Sequence, residues 1–142
     1  MARAQDQKLE MLAKVPLLSG LTSADIAKVG RICDEIDLPA GKVVIRQGAF
    51  AAEFYVIVDG TVAIERDGHA LGTMGAGEFF GELAMLANIP RTATGTCVTD
   101  CRFLVLDARS FNQLLTDYPK IQHKVLHALA QRVALLEREH AV

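Results

Sequence analysis

The stretch Gly81-Glu82-Leu83-Ala84-Met85-Leu86-Ala87-Asn88-Ile89-Pro90-Arg91-Thr92-Ala93-Thr94 sets a carboxylate and a guanidinium nine positions apart. A planar guanidinium donates two parallel hydrogen bonds to the oxygens of a phosphate, which suits Arg91 to an anion. An ionised carboxylate only accepts, which suits Glu82 to a hydroxyl. Gly81 has no Cβ, so backbone can approach a ligand closely there. A short helix starting near Glu82 leaves the amides of Leu83 and Ala84 unpaired and aimed at an anion. Pro90 stiffens the approach to Arg91 and biases Ile89 away from helix. The stretch can therefore hold one phosphate and one sugar hydroxyl together. The competing reading is a surface salt bridge between Glu82 and Arg91, contributing only ~0–1 kcal/mol.

The elements that must position these residues are legible as changes of period. Residues 5–14 have helical character, with Leu9, Leu12 and Ala13 on one stripe. Thr22 caps a second helix, with Asp25 three residues on and Ile26, Val29, Ile32 and Cys33 facing inward. From about residue 35 the period becomes two. Strands are expected over Lys42–Arg46, Glu53–Val58, Thr61–Arg66, His69–Met74, Thr92–Val98 and Cys101–Asp107. Asp59-Gly60 and Asp67-Gly68 read as two-residue hairpin turns. Many short, evenly spaced strands imply a barrel, sandwich or jelly roll. Helix returns over Ala108–Thr116, breaks at Asp117-Tyr118-Pro119, and resumes to about Glu139. Ile121, Val125, Ala128, Leu129, Val133 and Leu136 share a face of that last helix.

The 142 residues fit one domain with its own core. Fifteen basic against seventeen acidic residues give a formal charge of −2. That balance lacks the basic face that nucleic-acid binding calls for. No apolar run reaches the ~18 residues of a membrane span, and Met1 to Glu10 is polar and charged, unlike a signal peptide. The expected location is cytoplasmic. Cys33, Cys97 and Cys101 form no C-x-x-C motif and read as small buried hydrophobes. His123 and His127 have a spacing that can hold a metal, but no third ligand stands near them in sequence, and no metal site is expected. His69 is the lone histidine of the strand region, too few for a histidine-based metal enzyme of cupin type.

Phe79-Phe80-Gly81-Glu82-Leu83-Ala84-Met85-Leu86, a short link and Pro90-Arg91-Thr92-Ala93-Thr94 resemble, without a gap, the phosphate-binding cassette of cyclic nucleotide-binding domains. The resemblance covers roughly residues 15–139, and Leu17-Leu18-Ser19-Gly20-Leu21 is similar to the segment that leads into the family's β-roll. It implies an α+β, mainly β fold: an antiparallel β-roll or jelly-roll barrel with flanking N-terminal helices and a C-terminal helical lid. The expected division of the single domain 1–142 is N-terminal helices over 1–34, a β-roll over 35–107 with the cassette at 80–94, and C-terminal helices over 108–142. The implied ligand is cyclic AMP or cyclic GMP. Its contacts would come from Gly81, Glu82, Leu83, Ala84, Arg91, Thr92 and Ala93.

In the family a hydroxyl at the position of Thr92 can serve the guanine amino group. Here Thr92 could equally donate to phosphate, bond its own backbone, or stand for strand propensity alone. The base pocket is expected to use Ile64 and Leu83. In the family the last helix often covers the base. Arg132 could lie over the purine face as a cation–π contact of ~0.5–2 kcal/mol, or stay solvated, with Leu135 or Leu136 as substitutes.

The expected function is a non-enzymatic sensor whose C-terminal helix shifts on binding, with no cofactor. Its expected partner is a protein effector, without membrane or direct nucleic-acid contact, and the last helix leaves a homodimer open. The chain stops at Val142, with no room for a helix-turn-helix after the last helix. The alternatives are the ligand-sensing fragment of a larger transcription regulator, channel or enzyme, and a degenerate cassette that only contacts proteins.

Overall fold

The computed structural model describes residues 2–139, with side-chain surroundings for residues 7–134. Helix α1 (Ala2–Ala13) leads through a 3₁₀ turn at Pro16–Leu18 to α2 (Ser23–Ile32). Eight strands follow: β1 (Asp34–Leu38), β2 (Val43–Ile45), β3 (Glu53–Asp59), β4 (Val62–Arg66), β5 (His69–Met74), β6 (Phe79–Phe80), β7 (Thr94–Cys97) and β8 (Cys101–Asp107). Helix α3 (Glu82–Ala87) interrupts them between β6 and β7, and α4 (Ala108–Asp117) and α5 (Pro119–Glu139) close the chain. Thr22 caps α2 by accepting from the Asp25 amide at 3.2 Å, and Asp107 caps α4 by accepting from the Ser110 amide at 2.7 Å.

The strands make two four-stranded antiparallel sheets, ordered β1-β8-β3-β6 and β2-β7-β4-β5. They form an open roll and not a closed barrel. β3 and β8 are central to their sheet, and their alternation feeds two cores. Phe54, Val56, Leu104 and Leu106 point to the helices and pack with Leu12, Val29, Phe111, Leu114, Ile121 and Val125. Ile57 and Phe103 point into the roll and pack with Val62, Phe80, Cys97 and Cys101. A strand has period two, so one residue's shift would exchange the two sets. All three cysteines are free and buried.

Several expectations change in detail. Asp59-Gly60 is not a hairpin, because β3 and β4 belong to different sheets. Gly60 sits at the corner where the chain switches sheets, at φ +100°, and a Cβ there would meet the Asp100 carbonyl at 2.5 Å. Asp67-Gly68 does join paired strands: Arg66 stands opposite His69, and both turn residues have positive φ. β1 and the two-residue β6 escaped notice, because Asp34–Leu38 is rich in charge and Phe79–Phe80 is too short for a period. Ala13 is exposed, since α1 reaches the core through Leu9 and Leu12. Val133 is also exposed, because at that level of α5 the inward position is taken by Arg132.

α5 is held at its start as well as along its face. The Lys124 ammonium donates to the Pro16 carbonyl at 3.0 Å, the Ser19 carbonyl at 3.1 Å and Ser19 Oγ at 2.6 Å. That clamp ties the last helix to the 3₁₀ turn while Ile121 and Val125 enter the helical core.

Candidate functional site

β6 delivers the chain to Gly81, which has φ +98° and stands at the N-terminus of α3. This glycine is required twice. Its φ disfavours an L side chain, and a Cβ would meet the Glu53 carbonyl at 2.7 Å and Arg91 Nη1 at 2.8 Å. α3 ends at Asn88 in the left-handed region, where the Asn88 amide donates to the Ala84 carbonyl. The chain then turns back, and the Arg91 amide donates to the Ala49 carbonyl at 2.9 Å while the Arg91 carbonyl accepts from Gly48 at 2.8 Å. These bonds fix where Arg91 enters the roll.

Glu82 and Arg91 are the buried charged residues among the described ones, at 1% and 3% exposure. Arg91 Nη2 donates to the Glu53 carbonyl at 2.6 Å and Nη1 to the Gly81 carbonyl at 3.2 Å. The Glu53 carboxylate lies 3.7 Å from Nη2. Arg91 Nε is buried and makes no hydrogen bond. Burial pushes the Arg91 guanidinium below its ordinary value, opposed by Tyr55 and Glu53. Glu82 Oε2 is buried and has no partner within the chain. The partner of Glu82 Oε1 is the charge on Arg132, which reaches in from α5 to form an ion pair. Arg132 Nη2 also donates to the Phe79 carbonyl at 2.6 Å, and its guanidinium stands 5.6 Å from the centre of the Phe79 ring. Burial lowers the Arg132 guanidinium too, with Glu78 opposing.

These groups border one cavity of about 400 Å³. Gly81, Glu82, Leu83, Ala84, Arg91, Thr92, Ala93, Ile64 and Arg132, each expected at a binding site from sequence, all line it. Leu135 and Leu136 lie outside the residues whose side chains are described. The cavity has a polar end at the start of α3 and an apolar wall that includes Ile45, Ile64, Leu71 and Met74. Its size is that of a small-molecule site.

The family model of the cyclic nucleotide-binding domain matches residues 35–118. The chain belongs to the cyclic nucleotide-binding domain family. It is 33% identical over 132 residues to a cyclic nucleotide-gated potassium channel of Rhizobium etli, covering 92% of this chain and 37% of that one. It is 31% identical over 129 residues to a CRP-like cAMP-activated global transcriptional regulator of Mycobacterium tuberculosis, covering 87% of this chain and 58% of that one. The chain thus spans less than two thirds of these relatives. Among solved structures, PKAR CBD2 bound to Sp-2Cl-cAMPS superposes with a TM-score of 0.82 at 26% identity, covering 99% of this chain and 94% of that one.

This cyclic nucleotide-binding domain also places in its cavity residues that spacing did not single out. Arg66 ends β4, lines the cavity and donates through Nε to the Thr92 carbonyl at 2.8 Å. It lies two residues beyond Ile64, so strand alternation from Ile64 could have found it. Glu78 lines the cavity near Arg132, and its carboxylate accepts from the Gly75 amide at 2.6 Å. Glu53 supplies the backbone carbonyl that holds Arg91, a role no side-chain pattern reveals.

Proposed function

We propose that Arg91, Glu82 and the main chain of α3 hold a cyclic AMP or cyclic GMP molecule in this cavity, and that α5 reports its presence. The observation that carries the reading is that Arg91 Nε and Glu82 Oε2 are buried without a partner at the wall of one cavity, while Glu82 Oε1 is met only by Arg132. Buried polar atoms are rarely left so, and a ligand that accepts from one and donates to the other satisfies both. The phosphodiester takes Arg91 Nε and the amides of Leu83 and Ala84. The ribose 2′-hydroxyl donates to Glu82. The base rests on the apolar wall that contains Ile64, with Ala93 and Gly81 leaving room for backbone contact and Thr92 at the rim.

Arg132 is the lid residue in this reading. Its tie to Glu82 shares the carboxylate that the sugar uses, and in this reading the bound nucleotide draws Arg132 from Glu82 Oε1 toward the base. The ligand thereby biases α5 by its different affinity for the two positions. The domain is regulatory, and in our reading the chain carries out no catalytic step. Residues 1–142 act as one cytoplasmic domain, and a protein effector reads the displacement of α5. The outer face of α5, with Leu126 and Val133 exposed, suits that effector or a second copy of the chain.

Calorimetry on nucleotide-free protein tests the assignment. Saturable binding of cyclic AMP or cyclic GMP is expected at micromolar concentration. Absence of heat with both nucleotides up to millimolar concentration rejects it.

A further inference from the structure

Alternation along β4 puts Val62, Ile64 and Arg66 on one side of the strand. Ile64 and Arg66 both line the cavity, and Arg66 is half-buried there beside Thr92. Nε of Arg66 is spent on the Thr92 carbonyl. Among the described residues no carboxylate forms an ion pair with Arg66, and its Nη1 and Nη2 make no hydrogen bond. One edge of the guanidinium is therefore anchored to backbone, and the other is a free pair of donors at the cavity. Those donors are not sealed from solvent, so water can serve them in the cavity and a ligand with paired acceptors can replace that water.

We propose that Arg66 is a specificity-determining residue that reads the edge of the purine and favours cyclic GMP over cyclic AMP. The inference rests on the cyclic-nucleotide reading of the cavity. Residues two apart on a strand are separated by about 7 Å, so a flat base lying on Ile64 presents its edge, not its face, to Arg66. Guanine shows two adjacent acceptors on its N7/O6 edge, which match a guanidinium fork. Adenine shows one acceptor and an amino donor there, and that donor opposes the second N–H. The Arg66–Thr92 bond also fixes the main chain that carries the Thr92 hydroxyl. One side chain thus reads the base directly and holds a second reading group in place.

The experiment is paired calorimetric titration of wild type, R66A and R66K with cyclic AMP and cyclic GMP, after thermal melts confirm that each variant folds. The expected result is a fall in the ratio of cyclic GMP to cyclic AMP affinity by roughly 5- to 150-fold in R66A, the range for one bidentate base contact. R66K should also lose selectivity, because an ammonium lacks the fork, and it decides the matter if R66A does not fold. An unchanged ratio overturns the proposal, including the case where both affinities fall equally because Arg66 serves only to brace Thr92. A wild type that binds neither nucleotide is a different outcome: it rejects the cyclic-nucleotide reading itself.

Discussion

Arg132 on the last helix and Glu82 at the start of the cassette helix form an ion pair across the cavity. They come from elements separated by two strands and a helix, and Glu82 is buried while Arg132 stays partly open to solvent. The pair ties the position of α5 to the buried carboxylate at the cavity wall.

A first prediction follows from that shared carboxylate. If the sugar donates to Glu82, the 2′-deoxy analogue of cyclic AMP should bind wild type roughly ten- to a hundred-fold more weakly than cyclic AMP, as expected for a hydrogen bond to a charged group. In E82A the two nucleotides should bind alike. Calorimetry with both ligands on both proteins measures this, and equal affinities in wild type would remove Glu82 from the sugar contact.

R132A should loosen the helix without a ligand present. The substitution removes the ion pair to Glu82, the bond to the Phe79 carbonyl and the contact with the Phe79 ring. Amide exchange over residues 126–134 should rise in the nucleotide-free protein while β3 and β8 stay protected, because local opening follows local contacts. Unchanged exchange in α5 would show that Lys124, Ile121 and Val125 hold it unaided.

Arg91 should prove structural as well as ligand-binding. R91A removes the bonds to the Gly81 and Glu53 carbonyls, and leaves both acceptors in a partly buried setting. The nucleotide-free protein should lose ~1–3 kcal/mol by denaturant unfolding. Cyclic nucleotide affinity should fall at least a hundred-fold. A stable R91A with full affinity would displace the anion contact from this residue.

G81A should fail for reasons of conformation and space together. The left-handed φ alone costs roughly 1–2 kcal/mol for an L residue. The added methyl also presses on the Glu53 carbonyl and on Arg91. A lower melting temperature and loss of nucleotide binding are expected. A variant melting with wild type would mean that α3 can start with another geometry.

The thiols carry a pH dependence on the alkaline side. Burial pushes Cys33 up to about 12 from 9.0, with Asp34 adding and Lys8 opposing. Cys97 rises to about 11, through burial first and then Cys101. A thiol whose folded-state value is raised favours the folded state fully below the unfolded value and loses that preference as pH climbs through 9 toward the folded value. Stability should therefore be insensitive to these thiols at neutral pH and decline between about pH 9 and 12. Denaturant melts across that range check it, with C33A and C97A expected to flatten the decline. Identical alkaline curves for the variants and wild type would assign it to other groups.

How far the sequence reaches differs between these features. The Glu82-to-Arg91 segment can be read directly, because a glycine, a carboxylate, a proline and a guanidinium at fixed intervals within one short stretch are local chemistry. The helices read well where capping and period agree, as at Thr22, while the Asp107 cap of α4 emerges only in the structure. The same approach places a hairpin at Asp59-Gly60, where the chain crosses between sheets. A turn signal records backbone conformation at two residues, and says nothing about which strands pair on either side. Arg66 is silent in sequence for a related reason. Its importance lies in a bond to a carbonyl 26 residues away, and any residue type at Thr92 would offer that carbonyl.

The sequence by itself determined the cassette, the order of the helices and of six of the eight strands, and the alternation that makes β3 and β8 two-faced. These are properties of neighbours along the chain, set by spacing, capping and period. Tertiary structure alone decided that Arg132 meets Glu82, that Glu53 braces Arg91 with its carbonyl, and that Arg66 stands at the cavity beside Thr92. Each of those is a contact between distant elements, and its energy depends on burial and on which donors and acceptors remain unpaired once the sheets have closed around them.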